Sequence, residues 1–261
     1  MTKDEKQVIY RLLKAADDAG WTFSSPNFPL VEPVFADDAQ VRPAAPAARE
    51  PEPAPSAGLS GGTVSAESPS SEGKLSSLYE KVAACTRCGL SRTRTNTVPG
   101  MGVENPLVMV VGEGPGESED MTGLPFVGAA GQLLDKMLAA ISLSRAKNCY
   151  IANIVKCRPP ENRNPLPDEA AACRSFLEAQ IAILKPKSIL CAGSVAVKNL
   201  LQTGDGVTRL HGKILEYRGI PVLATYHPSA LLHDPSKKRI AWEDLKIFRA
   251  KLLEIEPGYN S

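Results

Sequence analysis

The chain has 261 residues, with 30 Lys and Arg against 29 Asp and Glu for a formal charge of +1. No apolar run approaches the roughly 20 residues that span a bilayer, and the polar start Met1–Lys6 has no secretory core behind it, so a soluble, unexported, cytoplasmic protein is expected. A charge near zero neither announces nor excludes a nucleic-acid partner, because phosphate is met by a local basic face; six cysteines without dense secreted-type spacing fit a reducing compartment.

Residues 4–20 carry Val8, Ile9, Leu12, Leu13 and Ala16 at helical spacing, with Gly20 as a stop. A short amphipathic helix within 1–25 follows from that spacing. From Pro26 to Gly73 the sequence is dominated by Ala, Pro, Ser, Gly and Glu, which cannot offset its ordering entropy by burial and reads as a disordered tether over 26–73. A helix on so long a tether is suited to catching a protein partner. From 74 to 261 the texture changes. Apolar β-type runs at Leu107–Val111, Tyr150–Val155, Ser188–Ala192 and Pro221–Tyr226 alternate with helical patterns around Gly131–Ile141, from Asp168 and from Ser194. The alternation predicts an α/β domain in which helices cover both faces of a central, mainly parallel sheet, a three-layer α/β/α sandwich. Function in such sheets gathers on loops at the carboxyl ends of the strands.

Cys85 and Cys88 form a CxxC pair, Cys157 follows the second predicted strand, and Cys173 lies one helical stretch later. Four thiolates so placed would staple the start of the domain onto the sheet, and the spacing suits a structural zinc as well as an iron–sulfur cluster. Cys149 and Cys191 fall in or beside predicted strands and read as core; His211 and His233 read as surface residues. After the first strand comes Gly112-Glu113-Gly114-Pro115-Gly116, then Glu117, Glu119 and Asp120. The glycines permit close approach of backbone to a ligand, but the loop is acidic, lacks a P-loop lysine and misses the dinucleotide spacing, which argues against a bound phosphate.

These strings resemble the family 4, iron–sulfur uracil-DNA glycosylases. The likeness rests on Gly112–Gly116 with Glu119-Asp120, on Gly123–Gly131, on Asn153–Pro160, on Asn162–Glu169 and on His227-Pro228-Ser229, in order across Leu75–Leu253. It implies a monomeric enzyme that hydrolyses the bond between uracil and deoxyribose in single- or double-stranded DNA, in the cytoplasm of a bacterial or archaeal type of cell and associated with the nucleoid. It further implies that Phe126 stacks on the base, that Asn153 pairs with its edge, and that His227 donates to uracil O2. Gly112, Glu113 and Gly114 would line the pocket, with Glu113 positioning water or balancing the cationic sugar. Ser229 with Leu231 or Leu232 would enter the duplex in place of the flipped base, and Lys237, Lys238 and Arg239 would contact phosphates. Cys85, Cys88, Cys157 and Cys173 would hold a structural 4Fe-4S cluster.

Gly114 and Pro115 stand where other uracil glycosylases carry an aspartate that orients water. No lysine is placed as a Schiff-base nucleophile, so hydrolysis without strand cleavage is expected. The glycosylase branch that crosslinks to DNA through a histidine in a basic loop is a poor fit, since no histidine lies between Cys157 and Cys173. A non-enzymatic scaffold stapled by zinc would keep the cysteines but has no use for Glu113, Asn153 and His227 at three strand ends.

Overall fold

The computed structural model describes residues 71–260. The helix expected at 4–20 and the tether up to residue 70 lie outside the described residues. The last three residues assigned to the tether open α1 (Ser71–Ala83), so regular structure begins before residue 74. A 3-10 turn at Gly89–Arg92 follows, then β1 (Met101–Gly102), β2 (Val108–Gly112), α2 (Glu117–Thr122), α3 (Ala129–Ala139), β3 (Cys149–Asn153) and α4 (Pro167–Leu184). The chain continues through β4 (Ser188–Ala192), α5 (Ser194–Leu201), α6 (Val207–Leu210), β5 (Ile214–Tyr217), β6 (Ile220–Thr225), α7 (Pro228–His233) and α8 (Lys238–Ile255).

The strands form one sheet in the order β1-β3-β2-β4-β6-β5. The four inner strands are parallel, and the two edge strands pair antiparallel with their neighbours. Parallel strands covered on both faces must be apolar throughout, and β2, β3 and β4 are buried at every position. Strand alternation then sorts the side chains into two cores. Met109, Val111, Tyr150, Ala152, Ile189 and Cys191 face one side, where α1, α4 and α5 cover them. Val108, Val110, Cys149, Ile151, Leu190 and Leu223 face the other, under α3, α7 and α8. Cys149 and Cys191 are thus core residues, one on each side, and burial pushes the Cys149 thiol up to about 12.

Local sequence signals set the longest covering helix. Pro167 occupies the first turn of α4, Glu169 reaches back to accept from the Leu166 amide at 2.8 Å, and Lys185 closes the helix in the left-handed conformation. Its stripe Ala170, Cys173, Leu177, Ile181 and Leu184 follows helical periodicity, and each large side chain so buried contributes roughly 1.5–3 kcal/mol. β5, joined to β6 by a turn at Arg218 and Gly219, escaped the sequence pattern: it is a half-exposed edge strand whose four residues give too short an alternation to read.

Candidate active site

The carboxyl ends of β2, β3 and β6 surround a cavity of about 430 Å³ lined by Glu113, Gly114, Phe126, Asn153, His227 and Ser229, among others. Gly112 ends β2 directly opposite Asn153 at the end of β3. A Cβ at Gly112 would fall 2.4 Å from Asn153 Oδ1 and 2.6 Å from Phe126 Cζ, so only glycine leaves room for both side chains. Asn153 is 1 % exposed, and its Oδ1 is the one buried side-chain oxygen or nitrogen among the described residues with no hydrogen-bond partner. An orphaned buried acceptor carries a desolvation cost of ~1–3 kcal/mol, and at a cavity wall it marks where a ligand donor completes the structure.

Phe126 sits beside it in a left-handed backbone conformation, φ 53°, that a non-glycine residue adopts only when its surroundings impose it. Two side chains do so. Arg145 donates to the carbonyls of Pro125 and Phe126, each at 3.0 Å, while pairing with Asp135. Glu119 accepts from the amides of Gly116, Val127 and Gly128 at 3.1, 2.9 and 3.2 Å, tying the loop after β2 to the Phe126 loop. Glu119 is therefore a staple, as is Asp120, which is buried and accepts from the amides of Thr95 and Asn96. Glu113 differs from both. Its carboxyl is partly buried, makes no side-chain hydrogen bond to another described residue, and is raised above the usual carboxylate range by desolvation.

His227 follows β6 and caps α7. Its Nδ1 accepts from the Ser229 amide at 3.2 Å and lies 2.7 Å from Ser229 Oγ. A backbone amide can only donate, so Nδ1 keeps its lone pair and the proton of the neutral ring sits on Nε2. Burial pushes the ring down to about 4, against an opposing pull from Glu119, so the imidazole is neutral at pH 7. Its centroid lies 5.5 Å from that of Phe126, the planes tilted by 33°.

On the α1 and α4 side of the sheet, Cys85, Cys88, Cys157 and Cys173 line a second, small cavity. Among the described residues no three His, Cys, Asp or Glu side chains converge closely enough to hold a single ion. Donors do point at the sulfurs. Arg94 Nη1 donates to Cys157 Sγ at 3.1 Å, Arg87 Nε to Cys85 Sγ at 3.4 Å, and the Lys156 amide to Cys173 Sγ at 3.3 Å. Burial raises the Cys157 and Cys173 thiols, while Arg94 at the first and Lys156 at the second pull them back toward the thiolate.

A model of the uracil DNA glycosylase superfamily matches residues 99–246. The type-4 uracil-DNA glycosylase of Archaeoglobus fulgidus is 39 % identical over 180 residues, 66 % of this chain and 90 % of that protein. That of Thermotoga maritima is 44 % identical over 174 residues, 64 % of this chain and 88 % of its own length. The chain belongs to the type-4 uracil-DNA glycosylases. A type-5 uracil-DNA glycosylase of Pyrobaculum aerophilum is a more distant relative, 33 % identical over 150 residues.

Ser229 lines the cavity, whereas Leu231 is 2 % exposed and packs into the core beneath α3 and α8, so it cannot be an exposed wedge tip. Helical periodicity separates it from Leu232, which is 44 % exposed. Lys237 pairs with Asp234 at 3.1 Å and lies over the Tyr226 ring, while Lys238 and Arg239 stand exposed at the start of α8. His211 is half-buried rather than on the surface: its Nδ1 lies 3.5 Å from Asp244, which also accepts from Thr225 just before the His227 loop. Arg163, Asn162 and Asn164 line the cavity beyond the residues singled out from sequence, and Arg163 is fixed by two 2.8 Å bonds to Glu169. Among the described residues no helix is long and apolar enough to cross a membrane.

Proposed function

We propose that this chain excises uracil from DNA by hydrolysing the N-glycosidic bond and leaves an abasic site. The observation that carries the reading is the orphaned Asn153 Oδ1 beside Phe126 and His227 in one cavity. Uracil supplies what that wall lacks: its N3–H donates to Oδ1 while its O4 accepts from the Asn153 amide. Cytosine presents a lone pair at N3 and an amine at C4, so both contacts turn repulsive, and leaving buried polar groups unpaired is what makes such discrimination strong. The base reaches the cavity by flipping out of the stack and lies against Phe126. As the bond to C1′ breaks, its electron pair passes into the uracil ring and charge gathers on O2. The Nε2–H of neutral His227 donates there, an interaction stronger in the transition state than in the ground state. Glu113 faces the sugar side as an unpaired carboxylate, where it balances the cationic sugar and orients the water that adds to C1′.

Around the cavity, Leu232 and Ser229 fill the gap left by the flipped base. Lys238 and Arg239 meet phosphates. Cations at a helix N-terminus oppose the helix dipole, so their position is better explained by an anionic partner than by stability. Cys85, Cys88, Cys157 and Cys173 would hold a 4Fe-4S cluster that braces the start of the domain against α4; the support is four thiols lining one cavity, with Arg94, Arg87 and the Lys156 amide donating to three of the sulfurs. Hydrolysis of an N-glycoside has no redox step, so the cluster supplies rigidity. One chain provides every group named, consistent with a monomer comprising a glycosylase domain that begins with α1 at Ser71, a linker from residue 26 up to that helix and an N-terminal helix within 1–25 that recruits a protein partner. A reducing cytoplasm, with the protein on nucleoid DNA, suits both cluster and substrate.

The test is incubation of purified protein with a uracil-containing oligonucleotide, then alkali. Cleavage at uracil only after alkali is expected; none on uracil strands, or cleavage without alkali, would refute hydrolysis without a lyase step.

A further inference from the structure

Lys156 is the only fully buried lysine among the described residues, at 1 % exposure, and it lines the cysteine cavity rather than the uracil cavity. Burying an ammonium is costly, so the acceptors that offset the cost are informative. Nζ donates to the Asn153 carbonyl at 2.7 Å and to Gln180 Oε1 at 2.7 Å. Gln180 is held in turn, its Nε2 donating to the Pro99 carbonyl at 2.7 Å and to Tyr150 OH at 3.2 Å, and Tyr150 is hydrogen-bonded to Tyr79 of α1. Gly100, at φ +146°, keeps that position open: a Cβ there would lie 2.6 Å from Tyr150 OH. The backbone of Lys156 is equally committed, its amide to Cys173 Sγ and its carbonyl to the Val98 amide at 2.8 Å.

Resting on the reading of Asn153 as the uracil-pairing residue, we propose that Lys156 is a positioning residue for base recognition. It anchors the peptide from which the Asn153 amide projects. β3 ends at Asn153, and the peptide that follows it is held at both ends: its N–H, of Ile154, donates to the Gly112 carbonyl at 3.0 Å, and the Lys156 ammonium is the donor that satisfies and orients the Asn153 carbonyl. Asn153 Oδ1 has no hydrogen-bond partner before the base arrives, so beyond the packing at Gly112 the aim of the side chain depends on how its peptide is held. Because Gln180 sits on α4 and Tyr79 on α1, the anchor also ties that aim to the two helices that carry or precede the cysteine cavity.

The test is a double-mutant cycle on the full-length protein, pairing Lys156→Met with Asn153→Ala and reading single-turnover uracil excision, with melting temperature and absorbance near ~400 nm recorded for each variant. Lys156→Met should slow excision on the order of 10–100-fold where Asn153 is present, since small losses of alignment cost that much, and less than about 3-fold where it is already alanine. A purely structural lysine would slow both backgrounds by the same factor, and that additivity would overturn the proposal. Should Lys156→Met fail to fold, Gln180→Leu, which removes the other acceptor of the ammonium, enters the same cycle with the same two outcomes. Wild-type protein that releases no uracil would instead overturn the proposed function, and this proposal with it.

Discussion

Replacing His227 with alanine removes one hydrogen-bond donor that acts only as negative charge builds on the leaving base. The size of the effect follows from the ring's setting. Nδ1 is committed to the Ser229 amide, so a single donor, Nε2–H, faces the cavity, and the ring is neutral because burial holds it near 4. A lone donor of this kind in a water-poor site is worth about 10²–10³ in rate, or ~3–4 kcal/mol. In a single-turnover assay with alkali cleavage, His227→Ala should lose that factor while its affinity for uracil-containing DNA, read by fluorescence anisotropy, barely moves. The charge state gives a second, sharper expectation. With the ring titrating near 4, the wild-type to mutant rate ratio should stay flat from pH 5.5 to 8, because the donor is the neutral imidazole throughout. Were the imidazolium the active form, the ratio would collapse as the pH rises through the neutral range. Either that collapse or an unchanged rate in the mutant would refute the reasoning.

The same depressed ring has a cost in acid. Between about 6.5, where it titrates unfolded, and about 4, where it titrates folded, the unfolded chain binds a proton the native one does not, so stability falls with pH by up to roughly 3 kcal/mol relative to His227→Gln; parallel urea melts from pH 7 to 4.5 check this. Asn153→Asp puts an acceptor-only group against uracil O4 and a charge into the cavity, so it should slow uracil excision and narrow the preference for uracil over cytosine, measured as a ratio of single-turnover rates. Leu232→Ala should slow excision from duplex more than from single strands, whereas Leu231→Ala should cost ~2–5 kcal/mol of stability in denaturant melts with no selective loss on duplex. Cys157→Ser should lose the absorbance near ~400 nm and melt earlier; unaltered colour and melting would remove Cys157 from the cluster.

Much of this protein was legible in its sequence for a physical reason: the features are local. Continuous apolar runs of Val, Ile and Leu between helical patterns predict buried parallel strands, and the inner four formed close to where the pattern put them. A glycine ending a strand, an asparagine ending the next and a histidine before proline are each visible as short strings, as are cysteines with metal-ligand spacing. Sequence could not say which way a side chain faces within one helical turn, and this separates Leu231 in the core from Leu232 in solvent. It set Glu113, between glycines at a strand end, apart from the other acids of the loop, but could not show that Glu119 and Asp120 turn back onto backbone amides, because those partners lie elsewhere in the chain. Lys156 and Gln180 look like ordinary polar residues 24 positions apart, and only the crossing of β3 by α4 buries them against each other. The sequence by itself determined which residue types stand at the strand ends; long-range packing decided which of them are orphaned, which are stapled and which one is left to meet a base, because burial and hydrogen-bond satisfaction are properties of the assembled core and not of any stretch of chain.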